Sequence, residues 1–407
     1  MDEGQLALDG RGDRERVEVG ETHGAVDAVE SARQPSSRAS PPLPTLADMH
    51  QLSRDEARRL VVRAQLLDAD RPGDVVEVAE QLAAIKIDPT ATIATSEQTI
   101  LWSRIGWSYE PGQLRKAVEG DHLLFEHDGH FHAGSLLAAR VARMRGRVLR
   151  AQATQWLAAN ARFRADVLAA LRAEGPLLAA QIADTSQVAH ASESGWYGSN
   201  QVPRMLELLS FIGEVSIVGR EGRLRRWDIA ERAFPADMPV LDYGDAGRIL
   251  DERRLQAAGL ARQKSPWTPV GDAGEPATVE GSTWKWRVDP VAAAGLSDDA
   301  GGRVAILNPY DGMLYDRPRL KELFDFEFVL EQFKPKGQRV FGYFVHPILA
   351  GDRFIGLLDA QLDKKRETLV VGAIHELVGF DADERDMVHA EIHDLAEWLG
   401  VAVVGLG

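Results

Sequence analysis

The chain has 407 residues, 44% of them hydrophobic, which is enough for about two to four domains with sizeable cores. It contains no cysteine, and this excludes a disulfide scaffold, a thiolate zinc site and a thiol nucleophile. The formal net charge of -15 argues against a protein that coats nucleic acid through overall charge, so DNA binding would need a local basic surface.

The N-terminal region has neither the composition of a secretory signal nor that of a folded unit. Asp2 and Glu3 stand where a signal would be basic and then apolar. Residues 1–45 contain Gly, Ser, Pro and mixed charge without apolar periodicity, which predicts a disordered tail. No run of about 18 apolar residues occurs, so no membrane span is expected. We therefore expect a cytoplasmic protein that contacts no membrane.

The next segment, 46–135, predicts a first winged-helix unit. Ser53-x-x-Glu56 is a capping-box pattern that should begin a helix, and Asp74 should cap a second one. A third helix is expected around Leu101 and Trp102. Between the second and third helices, the alternation of apolar and polar residues from Ile85 to Asp88 predicts a short strand that stops at Pro89.

The segment 136–235 gives the clearest pattern, with helix, helix, helix and hairpin in winged-helix order. A first helix ends at Gly175, a short second one is predicted from Leu178 to Ile182, and a third runs from about Asn200 to Gly213. The hairpin is the predicted wing, with its turn at Gly222. The third helix is the candidate recognition helix, and Arg-rich wings contact phosphates.

Charge along the chain is segregated into a basic stretch and an acidic stretch, as expected for a protein that binds DNA on one side. The stretch from Arg140 to Arg172 has Asp166 as its only acid, whereas the stretch from Asp381 to Glu397 has Arg385 as its only Lys or Arg. Ordinary solvated helix faces are the alternative. The candidate DNA-binding residues are Gln98, Arg145, Arg147, Asn200, Gln201, Arg204, Arg220, Arg223, Arg225, Arg226, Lys336 and Arg339.

The remaining chain predicts a third, smaller winged-helix unit and a β-rich end. Residues 236–295 contain one helix and two strands around Val279 and Trp286. Residues 296–407 contain four predicted strands, among them one from Gly342 to Val345, and a closing helix from Asp381 to Leu399. The predicted fold class is therefore α+β, with three tandem winged-helix units and a small, barrel-like C-terminal domain.

Several stretches together resemble the bacterial tandem winged-helix DNA glycosylases of the AlkZ/YcaQ type. The resemblance covers about Met49 to Val401. It implies metal-independent, monofunctional excision of N7-alkylated purines and unhooking of interstrand crosslinks in duplex DNA. We expect a monomer that needs no cofactor. The stretches are 63–67, 87–89, 101–104, 205–207, 219–222, 251–255, 286–290, 308–311, 316–317 and 342–343.

The family's active-site motif is Gln-x-Asp or Gln-x-Gln on the strand after the second helix. This chain has Lys86-Ile87-Asp88 there, so Asp88 matches the carboxylate and Lys86 replaces the Gln. Residues two apart on a strand share a face, so both side chains should point the same way. An exposed edge strand without catalytic function would show the same pattern.

Lys86 leaves three roles open: holding a phosphate or an ion pair, lowering catalysis by charge repulsion, or attacking the sugar as a neutral amine. The first is preferred because Asp88 should favour the charged amine. The rival function is a DNA-binding winged-helix protein, a regulator or lesion shield, whose catalytic site has decayed. His127, His130 and His132 have no partner at a known ligand spacing, so no metal site is predicted.

Overall fold

The computed structural model describes residues 49–189, 200–296 and 301–406, and these residues form a mixed α+β fold with three sheets. The predicted tail at 1–45 lies outside the described residues. No helix in the described ranges is long and apolar enough to cross a membrane.

The first part of the chain alternates helices with short strands. Ser53 and Glu56 form the predicted capping box, because each side chain bonds to the other residue's backbone amide. The Asp74 side chain accepts the amides of Val76 and Glu77, so the second predicted cap is also confirmed. The elements are β1 (His50–Leu52), α1 (Arg54–Ala64), α2 (Val75–Leu82), β2 (Ile85–Lys86), α3 (Ser96–Ile105), α4 (Pro111–Arg115), β3 (Leu124–His127) and β4 (His130–Ala133).

The second part of the chain, 137–233, contains the helices of the basic stretch from Arg140 to Arg172. Its elements are α5 (Leu137–Arg145), α6 (Ala151–Ala159), α7 (Ala161–Glu174), β5 (Leu177–Leu178), α8 (Val202–Phe211), β6 (Val215–Glu221), β7 (Leu224–Ile229) and α9 (Ala230–Ala233). The predicted helix from Leu178 to Ile182 is wrong: Leu178 ends β5, and only Ala179–Gln181 forms a single 3-10 turn.

One six-stranded sheet joins these two parts, in the order β2-β4-β3-β6-β7-β5. The hairpin β3–β4 meets the hairpin β6–β7 where Glu126 lies opposite Ile217. The predicted β6–β7 wing therefore shares a sheet with the β3–β4 hairpin and packs against it. The division of the chain into three winged-helix units stays a prediction.

A four-stranded sheet in the order β1-β9-β10-β8 collects strands from both ends of the first 290 residues. Its later elements are α10 (Tyr243–Ala258), β8 (Leu260–Arg262), β9 (Glu275–Val279), β10 (Trp286–Val288) and α11 (Pro290–Ala294). β1 pairs in parallel with β9. Residues 50–52 therefore belong to this sheet, although they lie within the predicted first unit, 46–135.

The C-terminal part is an open five-stranded sheet covered by a helix. Its elements are β11 (Val304–Ile306), α12 (Arg317–Phe324), β12 (His346–Ala350), β13 (Arg353–Asp363), β14 (Thr368–Glu376), α13 (Ala382–Leu399) and β15 (Ala402–Val404), with strand order β11-β12-β13-β14-β15. The edge strands β11 and β15 do not pair with each other, so the predicted barrel is not closed. The predicted strand at Gly342 to Val345 is also wrong, because β12 begins at His346.

The first and last parts of the chain share one hydrophobic core. Trp102 on α3 contacts Trp398 on α13, with ring centroids 5.8 Å apart, and the Trp398 indole donates to the Tyr109 carbonyl at 2.9 Å. Side chains of α2, α3, the strands β11 to β14 and α13 fill this core together. Burial of Ile85 in this core holds β2 against the C-terminal part of the chain.

Candidate active site

Lys86 lies at the end of β2, against the turn of the neighbouring β3–β4 hairpin. Its Nζ donates to the Gly129 carbonyl at 3.3 Å. Asp128 and Gly129 have φ values of 49° and 68°, the left-handed pair that a two-residue hairpin turn requires and that Asp-Gly adopts readily. Burial lowers the pKa of Lys86, and this effect exceeds the opposing effects of Asp88 and Asp128.

Asp88 lies beyond the strand, since β2 contains only Ile85 and Lys86. The loop that Pro89 begins fixes its carboxylate, because Oδ1 accepts the Thr90 amide at 2.9 Å. The Asp88 carbonyl accepts the Ser96 amide at 3.3 Å and ties the loop to α3. Strand geometry therefore does not explain why Lys86 and Asp88 are neighbours, but the charge of Asp88 does act on Lys86.

Tyr310, from the C-terminal part of the chain, lies near enough to this carboxylate for the two groups to interact electrostatically. Burial raises the pKa of Tyr310, and the negative charge of Asp88 raises it further. The Gln332 side-chain amide donates to the Tyr310 hydroxyl, and Thr90 also bonds to it. Asp88, Thr90, Tyr310 and Gln332 thus form one polar cluster, in which a phenol lies close to a fixed carboxylate.

The stretch Asn308-Pro309-Tyr310-Asp311 places Tyr310 by binding to α3. The Asn308 side-chain amide donates to Thr99 Oγ1 at 2.8 Å. Asp311 accepts both terminal nitrogens of Arg104, one of them at 2.9 Å, and both side chains are fully buried. Arg104 also donates to the Gln65 carbonyl at 3.0 Å. A buried, bidentate ion pair therefore fixes the residue next to Tyr310 relative to α3.

Glu97 is a second carboxylate beside Lys86 and Asp88. Burial raises its pKa, although Thr95 Oγ1 donates to its Oε1 at 2.5 Å and opposes the shift. Its neighbour Gln98, a predicted DNA-binding residue, accepts the Tyr109 hydroxyl at 2.7 Å. Gln98 lies at the predicted site, where its side-chain oxygen is already used by the protein.

Two arginines of the predicted wing bind a buried carboxylate instead of pointing freely outward. Arg220 donates to both oxygens of Glu126, at 2.7 and 2.6 Å, and Arg225 donates to one of them at 2.9 Å. The Glu126 side chain is only 1% exposed. Arg223, by contrast, is exposed at the tip of the hairpin, and Arg226 lies 3.7 Å from exposed Glu221.

These positions predict opposite results for two neighbouring arginines. Arg220→Ala should lower the urea midpoint of unfolding, because Glu126 loses two hydrogen bonds while buried, a cost of about 1–3 kcal/mol. Arg223→Ala should leave the midpoint unchanged and reduce the salt dependence of duplex binding by about one phosphate contact. Urea titration and fluorescence anisotropy across a salt series test both variants. Equal behaviour of the two variants in both assays would contradict the assignment.

The other basic candidates near the hairpin differ in their exposure. Arg145 and Arg147 are exposed at the end of α5, and Arg147 lies over the Phe211 ring at 5.1 Å. The exposed Asn200 uses its side-chain oxygen to accept the Val202 amide at 2.9 Å. Two further candidates, Gln201 and Arg204, are buried and half-buried.

The loop before β12 contains two more candidates, Arg339 and Lys336. Arg339 packs over the Tyr343 ring at 4.8 Å, and Tyr343 is near enough to Tyr310 to influence its titration. Glu331 holds this loop by accepting the amides of Val340 and Phe341 at 2.8 and 2.9 Å. Lys336 is exposed in the same loop.

The sequence patterns did not single out Glu97, Glu126, Tyr310 or Gln332. Glu97 occupies the first turn of α3, where an acid is ordinary because of the helix dipole. Tyr310 belonged to the family-like stretch 308–311 and was not assigned a role. Glu126 lies in the strand before the Asp-Gly turn, and a carboxylate at such a position needs a cation when it is buried.

The three histidines of this hairpin are buried or half-buried among protein groups. The His132 ring nitrogens lie 3.1 Å from the Ala83 carbonyl and 3.3 Å from the His127 carbonyl, so both contact backbone. Burial lowers the pKa of His127 to about 4. Burial also lowers the pKa of His130. Within the described residues, no group of three His, Cys, Asp or Glu side chains is arranged to hold a metal ion.

Two comparisons relate the whole chain to known proteins. The solved structure of the Streptomyces sahachiroi DNA glycosylase AlkZ matches 87% of this chain and 100% of its own, with a TM-score of 0.59 and 15% sequence identity. At this identity the match shows the fold. The sequence profile of the family described as "DNA glycosylase AlkZ-like" matches residues 79–398, which include Lys86, Asp88 and the stretch 308–311. The chain therefore belongs to the AlkZ-like DNA glycosylase family.

Proposed function

We propose that this protein is a DNA glycosylase that hydrolyses the N-glycosidic bond of N7-alkylated or crosslinked purines in duplex DNA, for repair or for resistance to a genotoxin. Family membership supports glycosylase activity in general. The observation that supports the site is the Asp88 carboxylate, fixed by the Thr90 amide beside Tyr310 where the first and last parts of the chain meet.

The chemistry needs a negative group on the sugar side of the bond. An N7-alkylated purine already has a positive charge and leaves without protonation, while positive charge develops at C1′ of the sugar. A carboxylate stabilises that charge and orients the attacking water. In Asp88, Oδ1 is held by Thr90, and among the described residues no hydrogen-bond donor contacts Oδ2. Oδ2 is therefore the atom we assign to the water.

Duplex binding would use cations at the end of α5, on the β6–β7 wing and in the loop before β12, of which Arg226 and Arg339 are half-buried and the others exposed. Exposed arginines and lysines bind backbone phosphates irrespective of sequence. A monomer is sufficient, because the catalytic cluster is built from one chain. The assigned residues are Arg145, Arg147, Arg223, Arg226, Lys336 and Arg339.

Base release from a panel of alkylated duplexes tests the proposal. The wild-type protein should release N7-methylguanine, or a base from a nitrogen-mustard crosslink, faster than protein-free DNA depurinates. Chromatography of the released base and alkali cleavage of the abasic product measure this rate. If no duplex in the panel loses a base while the protein still binds DNA, the protein is a binding protein with a decayed site, a function that Lys86 in place of the motif's Gln favours.

A further inference from the structure

The amine of Lys86 has no role in hydrolysis by Asp88, yet it is placed in the same site. Its Nζ donates to the Gly129 carbonyl at 3.3 Å, and among the described residues no carboxylate oxygen lies within 4.0 Å of it. The sequence favoured a phosphate or ion-pair role for Lys86, and the structure contains no close ion pair between Lys86 and Asp88. Loss of the Lys86 proton therefore breaks no salt bridge, and the neutral amine that remains has a lone pair for nucleophilic attack.

The hairpin turn packs closely around this amine. A Cβ at position 129 would lie 3.1 Å from Nζ, so glycine is the residue that lets the turn approach the amine. Gly129 also has a φ of 68°, a conformation that side chains other than Asn and Asp rarely adopt. The turn thus packs against the Lys86 amine on one side.

The surroundings of Lys86 favour its neutral amine more strongly than water favours the neutral amine of an exposed lysine. Burial has the largest effect on Lys86 and lowers its pKa, and the positive charge of Arg225 lowers it further. Asp88, Asp128 and Glu97 act in the opposite direction without cancelling burial. A lowered pKa means a larger fraction of neutral amine near pH 7, and the neutral amine is the nucleophile.

We propose that Lys86 forms a Schiff base with C1′ of an abasic deoxyribose and gives this protein an abasic-site lyase activity. The inference rests on the proposed function for its substrate, since base release at Asp88 leaves an abasic sugar in the same site. Lys86 and Asp88 would then act in sequence on one nucleotide.

Each step balances without an oxidant or a metal ion. Nζ adds to the C1′ aldehyde of the ring-opened sugar, and one water leaves to give a protonated imine. Asp88 removes a proton from C2′, a C2′–C3′ double bond forms, and the C3′–O bond breaks with its electron pair on the departing phosphate. Water then hydrolyses the imine, which regenerates the Lys86 amine and releases an unsaturated aldehyde at the 3′ end.

Trapping on abasic DNA tests the inference independently of base release. A labelled duplex with one abasic site, prepared by enzymatic removal of uracil, is incubated with the full-length protein and sodium borohydride. The wild-type protein should form a reduced covalent complex, with the adduct mapped to Lys86 by mass spectrometry. Without borohydride it should nick the strand by elimination, at a rate that rises with pH and has its midpoint below the usual lysine pKa of about 10.4.

Three variants make the result decisive. Lys86→Gln, which can still donate to Gly129, and Lys86→Arg, which keeps the positive charge, should both lose the adduct. Lys364→Gln removes an exposed lysine of the β13–β14 turn and should leave it unchanged. No adduct in the wild-type protein, or an undiminished adduct in Lys86→Gln, overturns the inference. If the wild-type protein still releases alkylated bases in that case, the proposed glycosylase function stands.

Discussion

Asp88→Asn should reduce release of an N7-alkylated purine by about 100- to 1,000-fold, with little change in duplex affinity. The amide keeps an oxygen for the Thr90 N–H, which Asp88 Oδ1 accepts at 2.9 Å, so the loop should keep its shape. It loses the negative charge that stabilises the developing cation at C1′. Single-turnover base release and anisotropy with a non-cleavable duplex measure the two quantities separately.

The matched control is Asp128→Asn, at the turn of the β3–β4 hairpin. Asp128 is exposed and has a φ of 49°, a conformation that Asn also adopts readily. This change removes the same charge within the same neighbourhood of Lys86, but not from the loop that Thr90 holds. Equal loss of base release in both variants would show that net charge matters and that Asp88 has no specific role.

Arg104→Met should give the largest loss of stability of any single change considered for this protein. Arg104 and Asp311 are fully buried, and removing one partner leaves the other charge without its counter-ion, which costs about 3–5 kcal/mol. The loss should also reduce base release, because Asp311 adjoins Tyr310 and holds it against α3. Urea denaturation followed by tryptophan fluorescence gives the change in midpoint.

A second variant separates charge burial from packing. In the double variant Arg104→Met/Asp311→Asn, no charge remains buried at this pair, and the introduced side-chain amide can still accept the Met313 N–H that Asp311 accepts at 2.9 Å. The double variant should therefore recover much of the stability lost in Arg104→Met. Arg248→Met, which breaks an exposed pair with Asp245 on α10, should change the midpoint little. A double variant no more stable than Arg104→Met would indicate that lost packing dominates.

Local sequence patterns predicted local structure well in this chain. Ser53 and Asp74 each cap a helix as predicted, since their side chains accept amides only a few residues away, and the closing helix predicted from Asp381 begins at Ala382. The strand from Ile85 was correctly placed, but Pro89 and the Asp88 side-chain turn shorten it to two residues. The apolar spacing of the segment 178–182 is compatible with a helix and with other conformations, and a helix was predicted. Pairing of β5 with β7 places Leu178 in a strand instead.

Contacts between distant parts of the chain were beyond those patterns. Arg104 and Asp311 are 207 residues apart, and Glu126 and Arg220 are 94 apart, so no periodicity connects them. Wing arginines look alike in sequence, yet Arg220 and Arg225 neutralise a buried acid while Arg223 is exposed. A buried carboxylate attracts whichever cation the fold brings to it, and only the folded sheet shows which one that is.

The sequence by itself determined the helix caps at Ser53 and Asp74, the family likeness and the position of Lys86-Ile87-Asp88 in the chain. These depend on interactions within a few residues, or on residue identities that survive without any knowledge of the fold. Only the tertiary structure decided that Tyr310 lies beside Asp88, and that burial lowers the pKa of Lys86 although an acid lies two residues away. The physical reason is that desolvation and long-range charge depend on what surrounds a group in space, which neighbouring residues in the chain do not specify.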